Sequence, residues 1–151
     1  MTLGVTLEVK ERRESLNDAR SLRLIDEDAG VLSHVLFKMP IFLRIDDTVI
    51  MNWPQLPLLF VAYDMLDRLR RLPKLGKDTI VLPGGSALFF TMEGSDVIVE
   101  SREHDRTAKT PYSTLLSAWE AFSHKTRTLL IDEFPELRSH PAIGAWFREP
   151  E

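Results

Sequence analysis

Ser86, next to Gly84 and Gly85, is the first place in this chain where nucleophilic chemistry could be written. A nucleophile elbow needs G-x-S-x-G between a strand and a helix, because the serine must be held out on a sharp turn. The run Gly84-Gly85-Ser86-Ala87-Leu88 lacks the last glycine and leads into strand-like sequence, so it reads as a tight turn. The same glycines lack the G-K-[ST] ending and the following helix that a phosphate loop requires. The four histidines, His34, His104, His124 and His140, share neither H-x-x-x-H nor H-E-x-x-H spacing. His104 with Asp105, close after Arg102, is the one cluster with ligand-like chemistry, and a solvated loop accounts for it equally. Absence of cysteine removes thiolate metal clusters, disulfides and cysteine nucleophiles. No metal and no cofactor is expected. A Ser/His/Asp triad needs no closeness in sequence, and nothing in the spacing points to one.

Acidic side chains carry more information. Glu93, Asp96, Glu100, Glu103 and Asp105 lie on and beyond one expected hairpin, facing Arg102 and Arg106. Asp96, Ile98, Glu100 and Arg102 share one face of the strand, with Val97, Val99 and Ser101 on the other, so a solvated face is expected. Asp26-Glu27-Asp28 and Asp46-Asp47 sit at turns. Asp132, Glu133 and Glu136 end the second long helix, where negative charge opposes the helix dipole. That conflict points to a salt bridge with Arg138 or to a partner. Paired carboxylates for glycoside hydrolysis need a cleft and a set separation, which spacing along the chain does not supply.

The elements that must position these groups follow from periodicity. Leu3, Val5, Leu7 and Val9 alternate, giving a strand over Leu3 to Lys10. Residues 14–24 fit a short helix, or a strand over Ser21 to Ile25. Val31 to Met39 fits either period, and the strand is favoured because β-branched and aromatic residues continue through Ile41 to Ile45. Pro40, with no amide hydrogen, belongs at an edge or bulge. Asp46-Asp47 turns the chain into a partner strand over Thr48 to Met51, ended by Trp53-Pro54-Gln55-Leu56-Pro57. Leu58, Ala62, Met65, Leu69 and Leu72 form the stripe of an amphipathic helix over Leu58 to Leu72. Asp64 with Arg68 and Asp67 with Arg71 are acid-before-base pairs on its wet side. The basic run Arg68, Arg70, Arg71, Lys74 and Lys77 suits the end of that helix. Next come Thr79 to Leu82, a Pro83-Gly84-Gly85 turn, and a hairpin of Ala87 to Met92 with Val97 to Arg102 about Gly94. Thr110-Pro111 then reads as the start of a helix from Tyr112 to Glu133, stopped by Pro135. Trp119 belongs to the core. Trp146 with Phe147 reads as an anchor in a short helix over Pro141 to Arg148, with an exposed patch as the alternative.

A chain of 151 residues that is 44% hydrophobic and 28% charged has enough apolar matter for one domain, taken as 1–151. The expected class is α+β, an antiparallel sheet of about five to six strands packed against two main amphipathic helices. Net charge is −4, and residues 76–151 hold eight basic against twelve acidic side chains. That balance lacks the phosphate-neutralising excess of a nucleic-acid binder. No apolar run approaches the roughly 20 residues of a membrane span, and the first residues alternate where a secretory signal would be basic and then apolar. A cytoplasmic location is therefore expected.

The layout resembles that of small bacterial immunity proteins of polymorphic and contact-dependent toxin systems. The resemblance lies in the hairpin PIFLRIDDTVIMNW, the helix PLLFVAYDMLDRLRRL, the hairpin GSALFFTMEGSDVIVES and a helix ending in EFPEL, together about Ile41 to Leu137. It implies a non-enzymatic protein that binds a cognate toxin and blocks its active site. Many such toxins are nucleases with basic clefts, which an acidic surface would match. The expected partner-binding residues are Asp96, Glu100, Glu103, Asp105, Asp46 and Asp47. Alternatives from other classes are a small-molecule-binding or adaptor domain and an enzyme of unfamiliar motif.

Overall fold

In the computed structural model, which describes residues 4–148, the alternating N-terminal segment is strand β1 (Val5–Val9); Leu3 lies outside the described residues. It pairs antiparallel with β2 (Lys38–Ile45), which pairs antiparallel with β3 (Thr48–Pro57). Asp46 and Asp47 make the tight β2–β3 turn, and Asp46 takes the left-handed φ of 50° that such a turn demands. The β2–β3 register shifts between Met39 and Ile41, so Pro40 sits at the expected bulge. β3 continues through Pro54 to Pro57, further than expected, because it is an edge of its hydrogen-bonded sheet and needs no amide on its outer side.

Between β1 and β2 the chain is helical. Helix α1 (Arg13–Ala19) and a 3-10 turn (Leu24–Asp26) lead to α2 (Ala29–His34). The strand favoured over Val31 to Met39 is thus corrected to a helix followed by a strand. Its cause is a cap: the Asp28 carboxylate accepts the Val31 N–H at 2.8 Å, satisfying one free donor of the first turn. Phe37 ends the helical stretch with a φ of 58°, a costly conformation for a bulky residue. Burial against Phe134, with ring centroids 5.5 Å apart, holds it there.

Residues 58–75 form one helix with two irregularities. Its turn over Phe60–Met65 is π-helical, and α3 (Leu66–Leu75) runs on past Leu72 and through Pro73. Pro73 has no N–H for the Leu69 carbonyl one turn back; the Tyr112 hydroxyl donates to that carbonyl instead, at 2.6 Å. Gly76, with φ 84°, closes the helix.

A second antiparallel sheet follows in the order β4 (Lys77–Val81), β5 (Ala87–Glu93), β6 (Asp96–Ser101) and β7 (Arg106–Pro111). Its β5–β6 turn is the expected one about Gly94, and Gly84 and Gly85, with φ 105° and 103°, form the β4–β5 turn. Strand β7 was not anticipated, and Thr110 lies within it rather than capping a helix. Helix α4 (Tyr112–Glu133) has the expected bounds. Beyond a 3-10 turn (Pro135–Ser139), α5 (Gly144–Phe147) tucks Trp146 and Phe147 into the core.

The α+β class holds, and the arrangement differs from one sheet on two helices: the described residues form two sheets, of three and four strands, and five α-helices. The sheets meet where β3 lies against β7 without a shared ladder, and α4 packs on β1, β7, α3 and the π-helical turn. Trp119 of α4 is fully buried and donates its indole N–H to the Val61 carbonyl at 2.8 Å.

Candidate functional site

The antiparallel ladder gives β6 two unlike faces. Val97, Val99 and Ser101 are buried inward, and Asp96, Ile98 and Glu100 are partly exposed outward. Across the outer face, Lys109 Nζ lies 2.7 Å from Glu93 and 3.9 Å from Asp96. Arg102 Nε lies 2.9 Å from Glu100, and its guanidinium stacks 4.0 Å over the Phe89 ring. Glu103 accepts a hydrogen bond from the Ser86 hydroxyl, which gives Ser86 a structural partner in its tight turn. Asp105 occupies a left-handed position, φ 50°, in the exposed β6–β7 turn beside His104.

Asp96, Glu100 and Glu103 thus share one end-to-end surface with Asp105 at its rim. Asp46 and Asp47 stand in a turn of the other sheet. Asp46 is engaged in structure, its carboxylate accepting the Gly4 N–H at 2.8 Å, while Asp47 is exposed. A shallow groove lined by β3 residues Val49 to Asn52 and by His104 and Arg106 links the two sheets. At the end of α4, Glu133 bridges Arg13 on α1 and Arg20 just beyond it, not the expected Arg138. Hydrogen bonding from Arg13, with help from Arg20, holds the Glu133 carboxyl below its ordinary value against the opposing effect of burial.

A second constellation lies elsewhere. Helix α2, the π-helical turn and α5 enclose a hollow of about 240 Å³ whose walls include Ser33, His34, Tyr63, Asp64, Ile143 and Trp146. Tyr63 and Trp146 meet edge to face, centroids 5.4 Å apart at 68°. His34 Nδ1 is 2.8 Å from Ser33 Oγ, and the Ser33 hydroxyl bonds the Ala29 carbonyl at 2.9 Å, a common use of a helical serine.

Asp64 is the unexpected member. The expected partner Arg68 instead grips Asp78 at 2.9 and 2.5 Å and the Thr79 carbonyl at 2.9 Å. The π-helical turn carries more residues per turn than an α-helix, so the four-residue spacing no longer aligns the two side chains. The pair Asp67–Arg71, wholly within α3, forms at 2.6 Å. Burial raises the Asp64 carboxyl above its ordinary value; the His34 charge and the Ser33 hydroxyl pull it down, and Asp67 adds a small upward push.

Sequence reasoning missed this hollow because its walls come from three separated segments. One signal was present: Asp64 is the only charged residue in the apolar run from Leu56 to Leu66. Among the described residues no cluster of three or more His, Asp or Glu side chains could hold a metal ion. No helix of the described residues is long and apolar enough to cross a membrane. No family model matches this chain, and no curated protein or solved structure compared with it gives a significant match.

Proposed function

We propose that this chain is a binding protein of the immunity type, which docks a basic toxin domain through the outer face of its four-stranded sheet and covers the toxin's active site. The observation that carries this is the β6 register, which directs Asp96 and Glu100 outward while Val97 and Val99 anchor the same strand in the core. The strand that carries these carboxylates is anchored in the core, and a charge pattern on a fixed backbone steers association better than one on a mobile segment. Their present partners do not prevent exchange. The Glu100–Arg102 and Glu93–Lys109 pairs are open to water, and such pairs contribute about 0–1 kcal/mol. Cations of a partner can replace Arg102 and Lys109 at little cost.

The immunity reading expects a toxic C-terminal domain encoded directly upstream, and the test is co-expression with that domain, followed by association kinetics with the purified pair. Growth rescue and a stable complex are expected. Combined Asp96→Lys, Glu100→Lys and Glu103→Lys should slow association by about tenfold or more at low salt and leave the fold intact, as circular dichroism will show. Unaltered kinetics would move the interface away from this sheet, and lack of rescue removes the immunity reading. A second reading, a small-molecule-binding domain, is favoured by one observation, the Asp64 hollow.

A further inference from the structure

The hollow between α2, the π-helical turn and α5 sets one carboxylate against two aromatic rings, and nothing in the hairpin face uses it. Asp64 is its only acidic wall residue, and Leu59 and Ile143 make much of the rest apolar. Arg68, the cation offered by the sequence, is fixed on Asp78 and Thr79. Among the described residues no lysine or arginine forms an ion pair with Asp64. Such a setting favours a cation twice over. Coulomb attraction strengthens where water is partly excluded, and the faces of Tyr and Trp rings attract positive charge. The Trp146 ring already accepts one cation, with the Arg127 guanidinium 5.0 Å from its centroid. Size sets the body of the guest. A cavity of roughly 150 Å³ takes benzene, so about 240 Å³ accommodates one ring with a short chain, or an aliphatic body of similar bulk.

We infer that this hollow binds a small organic ammonium compound, its charged nitrogen on Asp64 and its apolar body against the wall that Leu59, Tyr63, Ile143 and Trp146 form. The inference rests on the small-molecule reading of the hollow and is independent of the hairpin face. His34 and Ser33, hydrogen-bonded to each other, line the hollow with Asp64.

The full chain is titrated by calorimetry with phenethylamine, its neutral analogue phenethyl alcohol and the anion hydrocinnamate, with amide shifts in NMR spectra locating each. The amine should bind about tenfold tighter than the alcohol, a difference of roughly 1.4 kcal/mol, with the anion weakest. Shifts should centre on α2, Tyr63 and α5. Asp64→Asn should remove the preference for the amine and leave the alcohol unchanged. Equal binding of amine and alcohol to the native chain overturns the ligand class while keeping the hollow as a site. Failure of all three probes up to millimolar concentration overturns the hollow itself. Should Asp64→Asn not fold, the ranking of probes on the native chain decides alone.

Discussion

Asp64 works against the stability of the fold that holds it. Its carboxyl titrates above the ordinary value because burial penalises the charged form. A raised carboxyl means that the folded state binds more protons than the unfolded state between the two pKa values. Stability therefore falls as pH rises through that window, and at neutral pH the ionised group is a net cost. Asp64→Asn should accordingly melt higher than the native chain at neutral pH, with the difference shrinking in acid. A melting point that drops at neutral pH would mean the carboxylate is stabilised by something beyond Ser33 and His34. A destabilised polar group facing a hollow is a common feature of sites kept for binding. Tyr112 presents the opposite case. Its hydroxyl satisfies the Leu69 carbonyl that Pro73 leaves open, so Tyr112→Phe should cost about 1 kcal/mol, seen as a shift in the denaturant midpoint.

Elements differ in how plainly the sequence announces them, and the reasons are physical. Helix α4 was legible because Leu115, Trp119, Phe122 and Leu130 keep one period over a long stretch bounded by prolines. Strand β6 was legible because its alternation is strict. Helix α2 was not, since Val31, Val35 and Phe37 satisfy the strand period as well as Val31, Leu32 and Val35 satisfy the helical one. The deciding Asp28 cap resembles any acidic turn. Strand β7 was hidden by its polarity, for of its residues only Thr110 is fully buried. The π-helical turn was hidden for another reason: Phe60 to Met65 are mostly apolar, so hydrophobic spacing barely registers the wider turn. With it went the hollow, while the acidic hairpin face was read correctly as a solvated strand face. The link between α1 and α4 offers a prediction at this scale. Glu133 lies below its ordinary value because Arg13 and Arg20 favour its charged form. That contribution is complete above the unfolded carboxyl value and is lost as pH falls through the folded one. Glu133→Gln should therefore melt below the native chain at neutral pH and match it in acid, as thermal unfolding across pH will show.

For the whole molecule, charge and architecture are distributed unevenly. One sheet carries the outward carboxylates on a hairpin, and the other lends the Asp46–Asp47 turn. Near α5, Arg127, Arg138 and Arg148 line an open depression together with Asp132. On the proposed docking, the outward carboxylates of the hairpin attract a basic partner before contact. Association through the hairpin should therefore weaken steeply with added salt, and the charge-reversed variant should lose most of that salt dependence. Beside the seam between β3 and β7, α4 packs on both β1 and β7 and so ties the two sheets together.

Trp146 lies edge-on to Tyr63 at the hollow's wall, whereas Trp119 is sealed in the core beside Val61 and Trp53 is buried in β3. The protein consequently carries an intrinsic optical reporter. A guest entering beside Asp64 changes the surroundings of one indole and leaves the other two as internal standards, so occupancy can be followed by emission without attaching a dye.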